Sequence, residues 1–137
     1  MPTNLDSEVR ALLEAPNFWH LATINPDGSP QSTVVWVDVR DGKVLINTAL
    51  GRKKPRNLER EPRIALSLHD PQNPYANAQI QGRVVERITG EQADRDINAL
   101  SAKYTGRTPY PWRMEGEERV TYLIEPTRVW HRPGRVE

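Results

Sequence analysis

Apolar positions along the chain fall first at helical spacing and then at strand spacing. Leu5, Val9, Leu12 and Leu13 recur on one face of a short helix over residues 5–14, with Asp6 or Ser7 as its cap and Pro16 closing it. Two runs rich in β-branched and aromatic residues follow, 18–24 and 31–39, separated by the turn sequence Asn25-Pro-Asp-Gly28. Arg40-Asp41-Gly42-Lys43 is a stronger hairpin signal, because Asp-Gly tolerates the positive φ angles of a type I′ turn, and it leads into a third run, 44–48. Three antiparallel strands in succession are predicted.

Residues 63–69 alternate strictly, with Ile64, Leu66 and Leu68 on one face and Ala65, Ser67 and His69 on the other. A loop holding Pro71 and Pro74 precedes a strand over 78–87 whose alternation falters near Val84 and Val85, so a bulge is expected at Gly82. Thr89-Gly-Glu-Gln92 has the spacing of a capping box, and Ala93, Ile97, Leu100 and Tyr104 then mark one helical face. A polar, proline-bearing loop over 105–116 leads to a last strand over 119–125, with 127–131 extended beyond Pro126. The expected fold class is mainly β (α+β): about six antiparallel strands closing into a barrel, with peripheral helices, as one domain over residues 1–137. Tight turns between the first strands disfavour parallel winding.

Composition narrows the chemistry. With 36% apolar and 27% charged residues, the chain suits a soluble globular protein with a modest core. A chain this short buries a limited share of its surface, so a second subunit would help complete the core. Zero cysteines exclude disulfides, thiolate metal sites and cysteine nucleophiles. No stretch reads as a membrane span and residues 1–10 lack a signal-peptide core, so a cytoplasmic protein is expected. His20, His69 and His131 stand at no metal-ligand spacing, and no metal site is expected. No nucleophile elbow, Walker loop or GxGxxG sequence occurs, and no catalytic residue can be assigned. Any redox or transfer chemistry would fall to a bound cofactor.

Net charge is +1, but six cations (Arg52, Lys53, Lys54, Arg56, Arg60, Arg63) against Glu59 and Glu61 give residues 52–63 a local +4 and leave −3 elsewhere. One concentrated cationic segment, with no aromatic strand platform, fits a small anionic ligand better than nucleic acid. It lies in Asn47-Thr48-Ala49-Leu50-Gly51-Arg52-Lys53-Lys54-Pro55-Arg56-Asn57-Leu58, where a strand ends near Thr48 and a helix begins around Lys53 or Lys54, to end before Pro62. Free N–H groups at a helix start beside cations form a phosphate cradle; the alternative is a solvated basic turn. In the strand 31–36, Ser32, Thr33, Val34, Val35 and Trp36 either present backbone groups to a flat heterocycle or form an ordinary barrel strand. Tyr75 and the Tyr110-Pro111-Trp112-Arg113 stretch serve either ligand contact or an interface between subunits.

Six stretches taken in order carry a resemblance: Leu21-Ala-Thr-Ile24, Asp27-Gly28-Ser-Pro-Gln31, Lys54-Pro-Arg-Asn-Leu58, Glu61-Pro-Arg-Ile-Ala65, Gln81-Gly-Arg-Val84 and Lys103-Tyr104-Thr-Gly106. Together they resemble the pyridoxamine-phosphate-oxidase-like split-barrel proteins, and within them the flavin/deazaflavin oxidoreductases that use coenzyme F420. The family pattern more often has Asp where this chain has Glu61. The resemblance implies a six-stranded split β-barrel of the FMN-binding type, as a homodimer with two cofactor sites at its interface. Carried onto this chain, it implies that Arg52 and Lys54 bind the cofactor phosphate, with Lys53 and Asn57 close by; Asn47, at the head of the cationic constellation, is a further cofactor-binding candidate. Gln31, Ser32, Thr33, Val34 and Val35 would line the ring, Thr48 would face the ribityl-phosphate part, and Tyr75, Trp112 and Arg113 would approach from the partner subunit. The implied activity is hydride transfer from reduced F420 to an unsaturated small organic substrate. The alternatives are an FMN-dependent enzyme and a non-catalytic flavin-binding protein.

Overall fold

The computed structural model describes residues 3–133. Its first element is α1 (Ser7–Glu14), capped by Asp6, whose carboxylate accepts the Val9 N–H at 2.9 Å; Val9 and Leu13 face inward. Strands β1 (Trp19–Ile24) and β2 (Pro30–Val35) form a hairpin across the predicted turn, where Gly28 takes a φ of 86°. A second hairpin joins β3 (Asp38–Arg40) to β4 (Lys43–Ala49) through Asp41 and Gly42, both at positive φ as a type I′ turn requires. Then come α2 (Lys53–Arg60), β5 (Arg63–Asp70), β6 (Asn73–Ile88), α3 (Glu91–Thr105) and β7 (Arg119–Arg132). Among the described residues no helix is long and apolar enough to cross a membrane.

The sheet has seven antiparallel strands, not six, in the order β2-β1-β5-β6-β7-β4-β3. The run 31–39 that reads as one strand breaks at Trp36 and Val37, and its two parts take the opposite edges of the sheet. The three successive strands expected from the sequence are therefore two hairpins lying far apart in strand order. The sheet is also open, because no ladder joins β2 to β3. Yet Val35 and Asp38 are three Cα steps apart, which limits their separation to roughly 11 Å. The sheet must curl until its edges nearly meet, leaving a seam rather than a closed wall.

Backbone groups at that seam have no ladder to join, so they need other partners. Residues Lys103 and Tyr104 at the end of α3 supply them. The Lys103 ammonium donates to Val37 O at 2.6 Å and to Leu13 O at 2.8 Å. The Tyr104 oxygen accepts the Val37 N–H at 3.1 Å and donates to Asn17 O at 2.6 Å. These two residues thus bind the seam, α1 and α3 together.

Inside the curl, Trp19, Leu21, Val37, Val44, Ile46, Leu66, Ile80, Tyr122 and Ile124 form the main core, closed by Val9 and Leu13 of α1 and Leu58 of α2. A smaller cluster on the outer face packs Ile97 and Leu100 of α3 on Leu45 and Leu123. The alternation expected in β5 holds, with Ile64, Leu66 and Leu68 buried. Register shifts fall between Gln81 and Gly82 and between Val84 and Glu86. At the first, Gly82 faces Pro126, and a Cβ on it would lie 2.7 Å from Glu125 O. The bulge also lets β7 run on through Pro126, which has no N–H to give a ladder.

Two local expectations need correction. Thr89 does not cap α3: the N-cap is Gly90, without a side-chain cap. The loop around Pro71 and Pro74 is a tight hairpin, and β6 starts at Asn73 rather than 78.

Candidate functional site: a cationic cavity in the barrel seam

A cavity of about 270 Å³ lies along the seam. The end of β2 gives it one lip (Val34, Val35, Trp36), and the end of β4 gives the other (Asn47, Thr48). Arg52 and Lys54 border it from the start of α2, Ile97 and Leu100 from α3, Tyr110 from the long loop and Arg119 from the start of β7. Its lining combines cations with apolar and aromatic side chains. Two shallow clefts of about 370 and 290 Å³ on the outer face of β1, β5 and β6 share Ala22, Ala65 and Gln81; Arg63 is the one Lys, Arg, Asp or Glu that lines them.

Two of the cations come from the start of α2. The chain leaves β4 through Gly51, whose φ of 90° suits glycine, and turns into the helix with Arg52 as N-cap and no side chain capping its N–H groups. The Lys54 ammonium reaches across to β2 and donates to Thr33 Oγ1 at 2.9 Å. Burial, and then the charge of Arg52, hold its pKa below that of a solvated lysine. Thr48 is 2% exposed and its hydroxyl has no hydrogen-bond partner. An unpaired buried hydroxyl costs free energy, and Thr48 is one of the residues that line a cavity that also carries cations.

Arg119 is the cation that sequence reading missed. Its side chain is 3% exposed, donates from Nε to Asn47 Oδ1 at 2.9 Å, pairs with Glu117 and lies over the Tyr110 ring at 5.2 Å. Only the pairing of β7 with β4, which sets Arg119 opposite Ala49, brings it here; no local pattern announces it. Tyr110 and Trp36 had a signal in the aromatic content of their segments. They meet edge to face at 6.3 Å, and Trp36 stacks on Tyr104 at 5.3 Å.

Of the residues expected at a cofactor site, Val34, Val35, Asn47, Thr48, Arg52 and Lys54 line this cavity, and Thr33 touches it through Lys54. The others stand elsewhere in this chain. Asn57 is buried and donates to Thr23 Oγ1 at 3.0 Å and Asn25 Oδ1 at 3.1 Å, tying α2 to the first hairpin. The Gln31 amide oxygen accepts from Thr23, Ser32 lines the 290 Å³ cleft, and Lys53 is exposed. Tyr75 is exposed at the start of β6. Arg113 pairs with Asp94 at 2.7 Å and donates to Glu117 O, while Trp112 is exposed and meets the edge of Tyr110 at 5.8 Å. Among the described residues no group of three His, Cys, Asp or Glu could hold a metal ion.

Comparison with solved structures places this architecture in a known class. An F420 reductase matches with a TM-score of 0.80 and 28% identity, over 92% of this chain and 98% of that one. A conserved hypothetical protein of Mycobacterium tuberculosis shares the fold, with a TM-score of 0.74 and 24% identity over 95% of this chain and 86% of that one. The family model described as pyridoxamine 5'-phosphate oxidase matches residues 5–132, and the chain belongs to that family. Pyridoxine/pyridoxamine 5'-phosphate oxidase of Chromobacterium violaceum is 31% identical over 111 residues, 80% of this chain; the chain spans 47% of that relative's length.

Proposed function

We propose that this protein is an oxidoreductase that holds the phosphate end of coenzyme F420 in the seam cavity and serves hydride transfer to an unsaturated small organic substrate. The observation that carries the reading is the meeting around one cavity of Arg52, Lys54 and Thr48, whose buried hydroxyl has no partner. All three are donors, two of them charged, which is the set a phosphate ester needs. Likeness to an F420 reductase over nearly the whole of both chains favours the deazaflavin. The pyridoxamine 5'-phosphate oxidase match favours a second reading, in which the same cradle takes FMN.

When bound and reduced, the cofactor supplies the hydride. This chain's residues bind and orient. Arg52 and Lys54 neutralise the phosphate, Thr48 donates its free hydroxyl to it, and Val34, Val35 and Trp36 wall the ring. Ile97, Leu100 and Tyr110 keep water from the cavity, where exclusion of solvent strengthens the polar contacts. Positioning and a dry wall serve the hydride step, the anion left on the substrate takes its proton from water or a tyrosine, and no nucleophile is required of the side chains.

The active form in this reading is a homodimer whose partner completes the site. Support comes from the outward face of β1, β5 and β6, where Ala22, Ala65 and Ser67 stand beside Gln79, Gln81 and an exposed Trp130. Small side chains over a broad sheet face allow a second sheet to approach closely.

Fluorescence titration with F420 and with FMN, followed by turnover with the reduced cofactor against enones and quinones, tests the reading. Tighter F420 binding with turnover is expected. Tighter FMN binding shifts the assignment to the second reading, affinity without turnover leaves a flavin-binding protein, and no affinity for either removes the proposal. Sedimentation should give twice the monomer mass, and a monomer under the conditions of turnover would remove the partner's role.

A further inference from the structure

We infer that Glu117 is the internal counter-ion of the cavity, a fixed carboxylate that competes with the ligand's phosphate for Arg52 and thereby sets affinity by ligand charge. The inference rests on the reading that this cavity holds a phosphate ester. Glu117 sits in the turn before β7, where its N–H donates to Met114 O at 3.1 Å. One carboxylate oxygen, Oε2, accepts the Met114 N–H at 2.7 Å, and the other, Oε1, is shared between Arg119 and Arg52. Its side chain is 6% exposed. Burial acts to raise its pKa, but the hydrogen bonds from Met114 and Arg119 outweigh that and leave it below the usual carboxylate range.

The two guanidinium groups are held unequally. Arg119 is buried against Glu117 and fixed again by Asn47, so it cannot leave without stranding a charge. Arg52 is 53% exposed and reaches Glu117 at only 3.5 Å, the long limit of a hydrogen bond. It is the mobile member and can exchange the carboxylate for an incoming anion. Three cations line the cavity (Arg52, Lys54, Arg119), and one carboxylate stands behind them, leaving two positive charges. That balance exceeds the single negative charge of a phosphodiester, as in F420, and matches a monoester, as in FMN, which carries about −1.5 to −2 at neutral pH. Without Glu117 the site would bind anions more tightly.

The test is the substitution Glu117→Gln, titrated with FMN and riboflavin, and with F420 and its phosphate-free deazariboflavin core. The pair that the wild-type protein binds is the one compared. Loss of one negative charge several Å from the phosphate should tighten the phosphate-bearing member about 3- to 10-fold and leave the phosphate-free member within about 2-fold. Unchanged or weaker binding of the phosphate ester overturns the inference, and so does equal tightening of both members. If wild-type protein shows no preference for the phosphate ester over its core, the cavity's assignment falls first and this inference with it. Should E117Q fail to fold, a crystal of wild-type protein soaked in inorganic phosphate decides. Arg52 turned from Glu117 onto the anion supports competition; Arg52 still on Glu117 beside a bound phosphate contradicts it.

Discussion

Two polar clusters, drawn from much the same residue types, flank β4, and they differ in one respect. Behind the strand, Asp96 accepts from Arg40, from Gln92 Nε2 at 2.8 Å and from Thr121 Oγ1 at 2.7 Å. Thr121 in turn accepts from Asn47 Nδ2 at 2.9 Å, and that amide also reaches Ala93 O. Every member has its partners, and the cluster closes on itself. At the cavity, Lys54 has one partner, the Arg52 contact with Glu117 is long, and the Thr48 hydroxyl has none. A satisfied network holds a fold together, whereas an unsatisfied one with room beside it is fitted to something not yet there. Asn47 and Arg119 link the two, so the closed cluster braces the open one.

The contrast is sharpest when the closed cluster is broken. Asp96→Ala strands Arg40 and leaves the Thr121 hydroxyl without its acceptor, so it should cost about 3 kcal/mol of stability in urea unfolding. A loss below ~1 kcal/mol would mean that the cluster is not structural. Lys54→Ala should do the reverse. It should weaken cofactor binding by about 1.5–3 kcal/mol while leaving stability unchanged or slightly higher, since a half-buried cation is removed. Unchanged affinity would take Lys54 out of the site.

Smaller effects separate the clusters further. Thr48→Val keeps the shape of the wall but deletes the orphan hydroxyl. The free protein should gain up to ~1 kcal/mol, and the cofactor should bind about 1 kcal/mol more weakly. A stability loss would show that the hydroxyl has a partner in solution. The pH dependence of Lys54 should be smaller still. Burial lowers its pKa in the folded state, so between that value and the ordinary lysine value the unfolded chain holds more protons. Stability therefore gains a little as pH rises through this alkaline window, while affinity for the phosphate ester falls. Lys54→Arg should abolish the fall, and its persistence would assign it to another group.

Much of the framework was legible where the signal was local. Asp41 and Gly42 announced a hairpin, the alternation of 64–68 announced a strand buried on one face, and the cationic run announced the start of α2. The bulge at Gly82 was visible as a lapse in alternation. The seam was not. Residues 31–39 contain no Gly or Pro, and Asp38 is the one strongly strand-disfavouring residue beside the break at Trp36 and Val37, too weak a signal to split the run. The break is imposed by the curl of the sheet, which sends the two halves to opposite edges. Pro74 misled for a related reason, since a proline that breaks an inner strand is tolerated beside a hairpin turn. At the site, Arg52, Lys54 and Thr48 were found from a basic segment following a strand. Arg119 needed the long-range pairing of β7 with β4, and Glu117 is recognisable only through Arg119.

The most direct test is a crystal structure of the cofactor-loaded protein. The phosphate should accept hydrogen bonds of about 2.7–2.9 Å from the Lys54 ammonium and the Arg52 guanidinium, with the Thr48 hydroxyl as a further donor. A phosphate lodged elsewhere, with Lys54 still on Thr33 and the Thr48 hydroxyl still alone, would contradict the account.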